Sequence, residues 1–296
     1  MPANRSARSS RSKANTLPPL PDVVIEPIVR LALAEDLGAA GDVTTDALIA
    51  PETQGQWAVR AREAGVVAGL DAGMLACWMI DNDIQFTLHA GDGERVKAGQ
   101  TIIELEGAAR SVLMAERTML NFIGRLSGVA TMTAQYVDAV EGMGVIIAST
   151  RKTTPGLRAL EKRAVRLGGG GAHRYGLDDA FLIKDNHIAA AGSIPQALEN
   201  ARRAASHLAC IEIEVDTLEQ LKQALPHAPS AILLDNFTLP ELKAAVKLAK
   251  GKTLLEASGG ITIENVFTVA ETGVDVISIG ALTHSAPNFD VGLDAP

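Results

Sequence analysis

The densest chemistry in the sequence lies in one stretch, TRKTTPGLRALEKRAVRLGGGGAHRYGLDDAFLIKDNHI, residues 150–188. Thr150, Arg151 and Lys152 open it, His173 and Arg174 follow a glycine run, and Lys184 comes after them. An arginine grips a carboxylate through a planar two-pronged fork, whereas a lysine supplies a point charge. Such a set suits a small anion. The run Gly168–Gly171 lets a loop approach a ligand closely. It is not a P-loop, because no GK[ST] follows. Nor is it a dinucleotide fingerprint, because no GxGxxG opens a helix after a strand. Arg158, Lys162, Arg163 and Arg166 read instead as the basic face of a helix turned to solvent.

Carboxylates and small-residue turns complete the inventory. Glu214 and Asp235 close two apolar runs, IEIEV and AILLD. Two carboxylates could work as a general acid and base, or hold Mg²⁺ beside a phosphate. The metal reading is the stronger, since bare carboxylates would repel an anionic ligand. Salt bridges to the basic stretch are the plainer alternative. Glu212 alternates in phase with Glu214, so periodicity does not separate the two. EASGG (256–260) and SIGALTHS (278–285) each place a tight turn after a strand. Backbone N–H groups around Ser258, Gly259, Gly260, Gly280 and Ala281 would cradle a phosphate; barrel packing alone would also account for them. His89, His207 and His227 have no neighbour at metal-ligand spacing and read as surface or structural groups. HExxH, CxxC and GxSxG are absent, which removes support for zinc and serine hydrolysis.

The elements that would position these groups follow from the hydrophobic pattern. Six short apolar runs recur after residue 144: VIIAST (145–150), FLIK (181–184), IEIEV (211–215), AILLD (231–235), LLEAS (254–258) and VISIG (276–280). Helical patterns such as Ile194–His207, Leu218–Leu225 and Pro240–Lys250 lie between them. Repeated strand–helix units with continuous apolar strands imply a buried parallel sheet. A polar group stands at or just past nearly every strand end. That is the C-terminal rim of a β/α barrel rather than the single switch point of a doubly wound sheet. Eight strands are not readable, so the barrel is expected to be incomplete. The N-terminal half reads as mixed α/β with a barrel-sandwich or hammerhead-like hairpin around GDGERVKAGQTIIELEG. Two long helical stretches from Ser111 to Glu141 are expected to break near Ser127-Gly128. The predicted organisation is a basic tail over 1–21, unstructured and interrupted by Pro18, Pro19 and Pro21. A mixed α/β domain over 22–128 and a barrel over 129–285 follow, with 286–296 able to pack with the first domain.

Composition excludes several classes. The 296 residues carry a net charge of −8 and are only 3% aromatic, a poor match to a nucleic-acid binder, which wants a basic face and stacking rings. The charge is uneven. Residues 1–21 hold four basic groups and no acid, residues 142–177 hold seven basic groups against Glu161 alone, and the remainder sums to −18. A basic island in an acidic protein focuses anionic small molecules. No run of 18 apolar residues suggests a membrane span. Two distant cysteines, Cys77 and Cys210, fit a reducing cytoplasm.

TRKTTPGLR, GGGxxHRxGLxDxxLIKDNHI, the ExEVD and LLDNF strand ends, EASGG, GALTHS and the AERTMLN helix together resemble the quinolinate phosphoribosyltransferase family, over nearly the whole chain after residue 21. The resemblance implies transfer of a phosphoribosyl group from phosphoribosyl pyrophosphate to quinolinate. Pyrophosphate and CO₂ are released, and nicotinate mononucleotide forms for NAD synthesis. It also implies Mg²⁺ and a homodimer whose active site is shared between subunits. Carried onto this sequence, quinolinate would meet Arg151, His173, Arg174 and Lys184, with Thr150 beside them and Arg117 arriving from the neighbouring subunit. Lys152 would face the donor's phosphates. Glu214 and Asp235 would serve the ribose hydroxyls and Mg²⁺. Ser258, Gly259, Gly260, Gly280 and Ala281 would hold the 5′-phosphate.

Three competing readings are distinct. A related phosphoribosyltransferase could act on another aromatic acid, and the number of cations around the base site would discriminate. A Schiff-base aldolase would use Lys184 as nucleophile and would need it desolvated. A carrier module would bear a covalent group on Lys97 of the hairpin.

Overall fold

The structure is a computed structural model. It describes residues 8–9, 17–249 and 251–295 of the chain. Most of the expected tail lies outside these residues. Arg8–Ser9 pair in parallel with Thr87–Leu88.

The chain folds as two compact units. The first contains residues up to Ala134, together with Thr154–Gly169 and the stretch from Ser285 onward. Its first long helix, Asp22–Leu37, follows Pro21 and buries Ile25, Val29 and Leu33, one stripe at helical spacing. Asp42 then caps helix Val43–Leu48 by accepting from the N–H groups of Thr44 and Thr45. Strand Gln54–Ala61 lies between Thr101–Ala108 and Val291–Asp294, antiparallel to both, and Gln85–Leu88 extends the sheet beyond Thr101–Ala108. Val59, Ile103, Leu105, Met119, Ile123 and Phe289 belong to the core of this unit.

Two sequence expectations for this unit are corrected. Ala109–Ala139 is one continuous helix, with no break at Ser127-Gly128. The pair serves packing instead. The Ser127 hydroxyl accepts from the Ala68 N–H and donates to the Ala68 carbonyl. Gly128 lets the Pro287 carbonyl approach so closely that a Cβ there would lie 1.9 Å from its oxygen.

Helix Arg158–Leu167 is not a solvated basic face either. Of its four basic residues only Arg166 is exposed. Lys162 is buried, and Arg163 pairs with Asp92 at 2.5 Å. Glu161, fully buried, accepts from Arg125 at 2.8 Å and from the Thr154 hydroxyl at 2.8 Å. Partners of opposite charge far away in sequence, Asp92 for Arg163 and Arg125 for Glu161, supply the compensation that allows these two charges to be buried.

The second unit, Gln135–Thr153 with Gly170–His284, contains all six expected strands. They are Ile146–Ala148, Phe181–Ile183, Ile211–Val215, Ala231–Asp235, Leu254–Ser258 and Val276–Ser278, all parallel. In order of appearance they are hydrogen-bonded as 1-6-5-4-3-2. That is the consecutive order of a ring, opened between the first and second strands. The first strand pairs with the last, as barrel closure requires. A single bridge from Ala148 to Gly171 enters the opening. The segment linking the first two strands, Thr154–Gly169, folds with the first unit.

Candidate active site

Register decides which side chains meet. Paired residues of parallel strands share a face, and the face alternates along each strand. The pairs Glu214↔Leu233, Leu233↔Glu256, Asp235↔Ser258 and Ser258↔Ser278 put Glu212, Glu214, Asp235, Glu256, Ser258 and Ser278 on one side. Ile213, Val215, Ile232, Leu234, Leu255 and Ile277 take the other, which packs under the helices. The polar residues therefore line the barrel interior and its C-terminal rim.

The loop after the first strand carries Thr150, Arg151 and Lys152. It is fixed by local hydrogen bonds: the Lys152 N–H donates to the Thr150 hydroxyl at 3.0 Å, and the Thr153 N–H to the Arg151 carbonyl at 2.9 Å. The buried Thr283 hydroxyl donates to the Lys152 carbonyl at 2.7 Å, tying this loop to the segment after the last strand. His173 and Arg174 follow the Gly171 bridge. Lys184 ends the second strand and pairs through its ammonium with Glu214. This is the salt bridge that the sequence left open. It also weighs against the aldolase, whose nucleophile must be a neutral amine.

The cations are not equally committed. The Arg174 Nη1 donates to the Ala180 carbonyl at 3.2 Å, but its Nε and that of Arg151 are buried without a hydrogen-bond partner. Burial, and then the charge of Arg151, push the Arg174 guanidinium below its ordinary value. Two guanidiniums are thus held close enough to repel, each with an Nε donor that meets no protein acceptor. Buried polar atoms of this kind call for a ligand.

His173 is differently placed. Its Nδ1 accepts the Arg174 N–H at 2.7 Å, and its Nε2 lies 3.0 Å from Glu212 and 3.6 Å from Glu256. Burial, reinforced by Glu212, pushes the Glu256 carboxyl up to about 7, against the opposing effects of His173 and a Ser278 hydrogen bond. Glu256 was not among the sequence candidates. Its only signal is a carboxylate in phase with Ser258 inside an otherwise apolar strand.

The small-residue turns converge at the rim. Gly259 adopts φ +94° against Asn236, whose own N–H donates to the Ser258 carbonyl at 2.9 Å. The Asn236 amide donates to Asp235 at 2.8 Å, so the carboxylate and the turn share one support. Gly280 lies against the Lys152 side chain.

The C-terminal domain model of quinolinate phosphoribosyl transferase matches residues 129–294, and the N-terminal domain model matches residues 42–127. The chain belongs to the quinolinate phosphoribosyltransferase family. It is 47% identical to the carboxylating nicotinate-nucleotide pyrophosphorylase of Mycobacterium leprae over 90% of this chain and 95% of that protein. It matches the solved nicotinate-nucleotide pyrophosphorylase of Francisella tularensis with a TM-score of 0.90 and 40% identity, over 94% of this chain and 98% of the other. The Ehrlichia chaffeensis structure matches with a TM-score of 0.87 at 42% identity, covering 92% and 98%. The family that the motifs implied and the incomplete barrel are both borne out.

In this family member thirteen of the site candidates, from Thr150 to Ala281, fall in the second unit. Arg117 alone falls in the first, exposed on helix Ala109–Ala139. Among the described residues no helix is long and apolar enough to cross a membrane.

Proposed function

We propose that this chain transfers the phosphoribosyl group of phosphoribosyl pyrophosphate to quinolinate, releasing pyrophosphate and CO₂ and giving nicotinate mononucleotide. The observation that carries this reading is the Arg151–Arg174 pair, two mutually repelling guanidiniums with unsatisfied buried donors. A dicarboxylate offers each a fork partner and cancels the repulsion. Lys184 adds a point charge. His173 already meets protein groups on both ring nitrogens, so in this arrangement the two arginines are the principal clamps.

Clamping both carboxylates orients the pyridine nitrogen for attack on the ribose C1, which lowers the barrier through positioning. The bond to pyrophosphate breaks as the new bond forms, with oxocarbenium character at C1. Lys152, exposed at the rim, neutralises the departing phosphates. The turns at Ser258–Gly260 and Gly280–Ala281 hold the 5′-phosphate. No protein nucleophile is needed. The ring nitrogen becomes cationic and stabilises the electron pair left on the adjacent carbon when the 2-carboxylate departs as CO₂; that carbon then takes up a proton from water.

Glu214 and Asp235 suit Mg²⁺. They offer hard oxygen donors at neighbouring strand ends, too few for a closed protein cage, as expected of an ion that keeps water and substrate phosphate in its shell. The mixed His173, Glu212 and Glu256 group, which contains a nitrogen donor and is buried, suits it poorly. Held by Glu214 and Asp235, Mg²⁺ would supply charge neutralisation for pyrophosphate. We assign the working form to a homodimer in the cytoplasm, with Arg117 of each subunit reaching the site of the other. Free Cys77 and Cys210 agree with a reducing compartment.

The deciding experiment mixes purified protein with quinolinate, phosphoribosyl pyrophosphate and Mg²⁺. CO₂ and nicotinate mononucleotide are expected in equal amounts. Product from nicotinate in place of quinolinate, with none from quinolinate, would overturn the decarboxylating assignment.

A further inference from the structure

We propose that Glu212 and Glu256 are positioning residues for the base site, holding His173 in one tautomer so that its ring fixes the loop that carries Arg174. The inference rests on the quinolinate reading above. Both carboxylates project from mid-strand into the barrel interior, on strands separated by Ala231–Asp235. The small Ala231 stands level with Glu212. Glu212 is 9% exposed and Glu256 4%. Such groups are costly to bury and persist only where hydrogen bonds or a counter-charge compensate. His173 reaches both through Nε2, while Arg174 acts on Glu212 through space and Ser278 hydrogen-bonds Glu256.

The tautomer follows from the donors. A backbone N–H can only donate, so the Nδ1 that accepts from Arg174 carries no hydrogen. The ring hydrogen is therefore on Nε2, directed at Glu212 at 3.0 Å, with Glu256 farther off at 3.6 Å. This also decides against a metal. His173, Glu212 and Glu256 bring ligand atoms within 4.8 Å of one another, a spacing that would suit a cation. A cation on Nε2 would have to displace the one ring hydrogen and leave an imidazolate. The arrangement is instead a carboxylate-oriented histidine, with its second nitrogen gripping the next peptide.

The consequence falls on Arg174. Residues 172–175 belong to no helix or strand, so the loop lacks a ladder to hold it. The Nδ1 bond anchors the Arg174 peptide, and the Ala180 contact steadies its side chain. Releasing His173 lets the guanidinium drift from its clamp geometry without altering the phosphate turns.

The test measures both substrates. Glu212→Ala and Glu256→Ala are expected to raise KM for quinolinate about tenfold or more, with KM for phosphoribosyl pyrophosphate within about twofold of wild type. Glu212→Gln, which keeps an acceptor for the Nε2 hydrogen, is expected to restore most of the loss. Parallel rises in both KM values, with no rescue by glutamine, would overturn the proposal in favour of general destabilisation. A ¹⁵N spectrum of the wild-type imidazoles does not depend on activity or on variant folding. It is expected to show His173 with an unprotonated Nδ1. A protonated Nδ1, or a stoichiometric transition metal in the purified protein, would overturn the tautomer and the proposal with it. Wild-type protein inactive on quinolinate would reject the functional reading alone, and the spectrum would still decide the tautomer.

Discussion

At the scale of single residues, the site works by leaving some charges uncommitted. Lys184 has Glu214, and His173 has Glu212 and Glu256, but Arg151 and Arg174 keep buried Nε donors in reserve. Substituting Arg151→Lys keeps the charge and loses the fork. A charged hydrogen bond is worth about 1.5–3 kcal/mol, so KM for quinolinate is expected to rise about 10- to 100-fold. Steady-state kinetics showing near wild-type kcat/KM would sink the two-pronged assignment. Gly259 tests the opposite rim. A Cβ there would lie 2.1 Å from the Asn236 Oδ1, on a backbone at φ +94°. Gly259→Ala must displace Asn236, and with it the support of Asp235. Strain of this kind costs about 1–3 kcal/mol. The expected signature is an increase of about tenfold in KM for phosphoribosyl pyrophosphate, with KM for quinolinate little changed. An unchanged donor KM would remove these turns from the phosphate site.

At the scale of elements, the strands were the legible part and the partners were not. All six barrel strands stand where the apolar runs predict, because a strand buried on both faces writes its burial into consecutive residues. Rim residues were legible for the same reason, since each follows a recognisable strand end. Glu256 was not. Its meaning depends on His173, 83 positions away in sequence. Likewise the charges of Arg158–Leu167 read as solvated because Asp92 and Arg125, which compensate them, are remote. Ser127-Gly128 read as a break because small residues in a helix signal weakness locally, whereas here they admit another segment. Gly128→Ala turns that contrast into a measurement. In an exposed helix the change stabilises by about 0.5–1 kcal/mol. Here the new methyl would meet the Pro287 carbonyl at 1.9 Å, so overpacking of about 1–3 kcal/mol is expected. Thermal denaturation should show a lower Tm, and a higher one would deny the close approach.

At the scale of the whole molecule, charge is arranged against its own average. A chain of net charge −8 keeps a basic stretch for anionic substrates. Burial at one carboxylate and surface hydrogen bonds at others also give it opposing responses to acid. Burial and Asp71 push the Asp92 carboxyl up to about 6, against the pull of Arg163. Its folded value exceeds the unfolded 3.8, so its stabilising contribution is complete below that value and is lost as pH rises through about 6. Asp42, held low chiefly by Thr45, and Asp294, held low chiefly by Arg62, lose theirs as pH falls. Asp92→Asn removes the term that offsets acid loss. Its Tm should therefore fall more steeply than wild type between about pH 6 and 4, and equal slopes would refute the assignment. Assembly is the larger question. Arg117 is the one base-site candidate outside the second unit, exposed and without an ion-pair partner among the described residues. If each subunit lends it to the other, an Arg117→Ala subunit retains an intact barrel and a Lys184→Ala subunit retains an intact Arg117. A dimer of the two then has one site with both groups intact and one with neither. Random exchange makes about half the dimers mixed, so about a quarter of wild-type activity should return from two inactive parents. If Arg117 instead serves its own chain, every site in the mixture carries a defect, and mixing restores nothing.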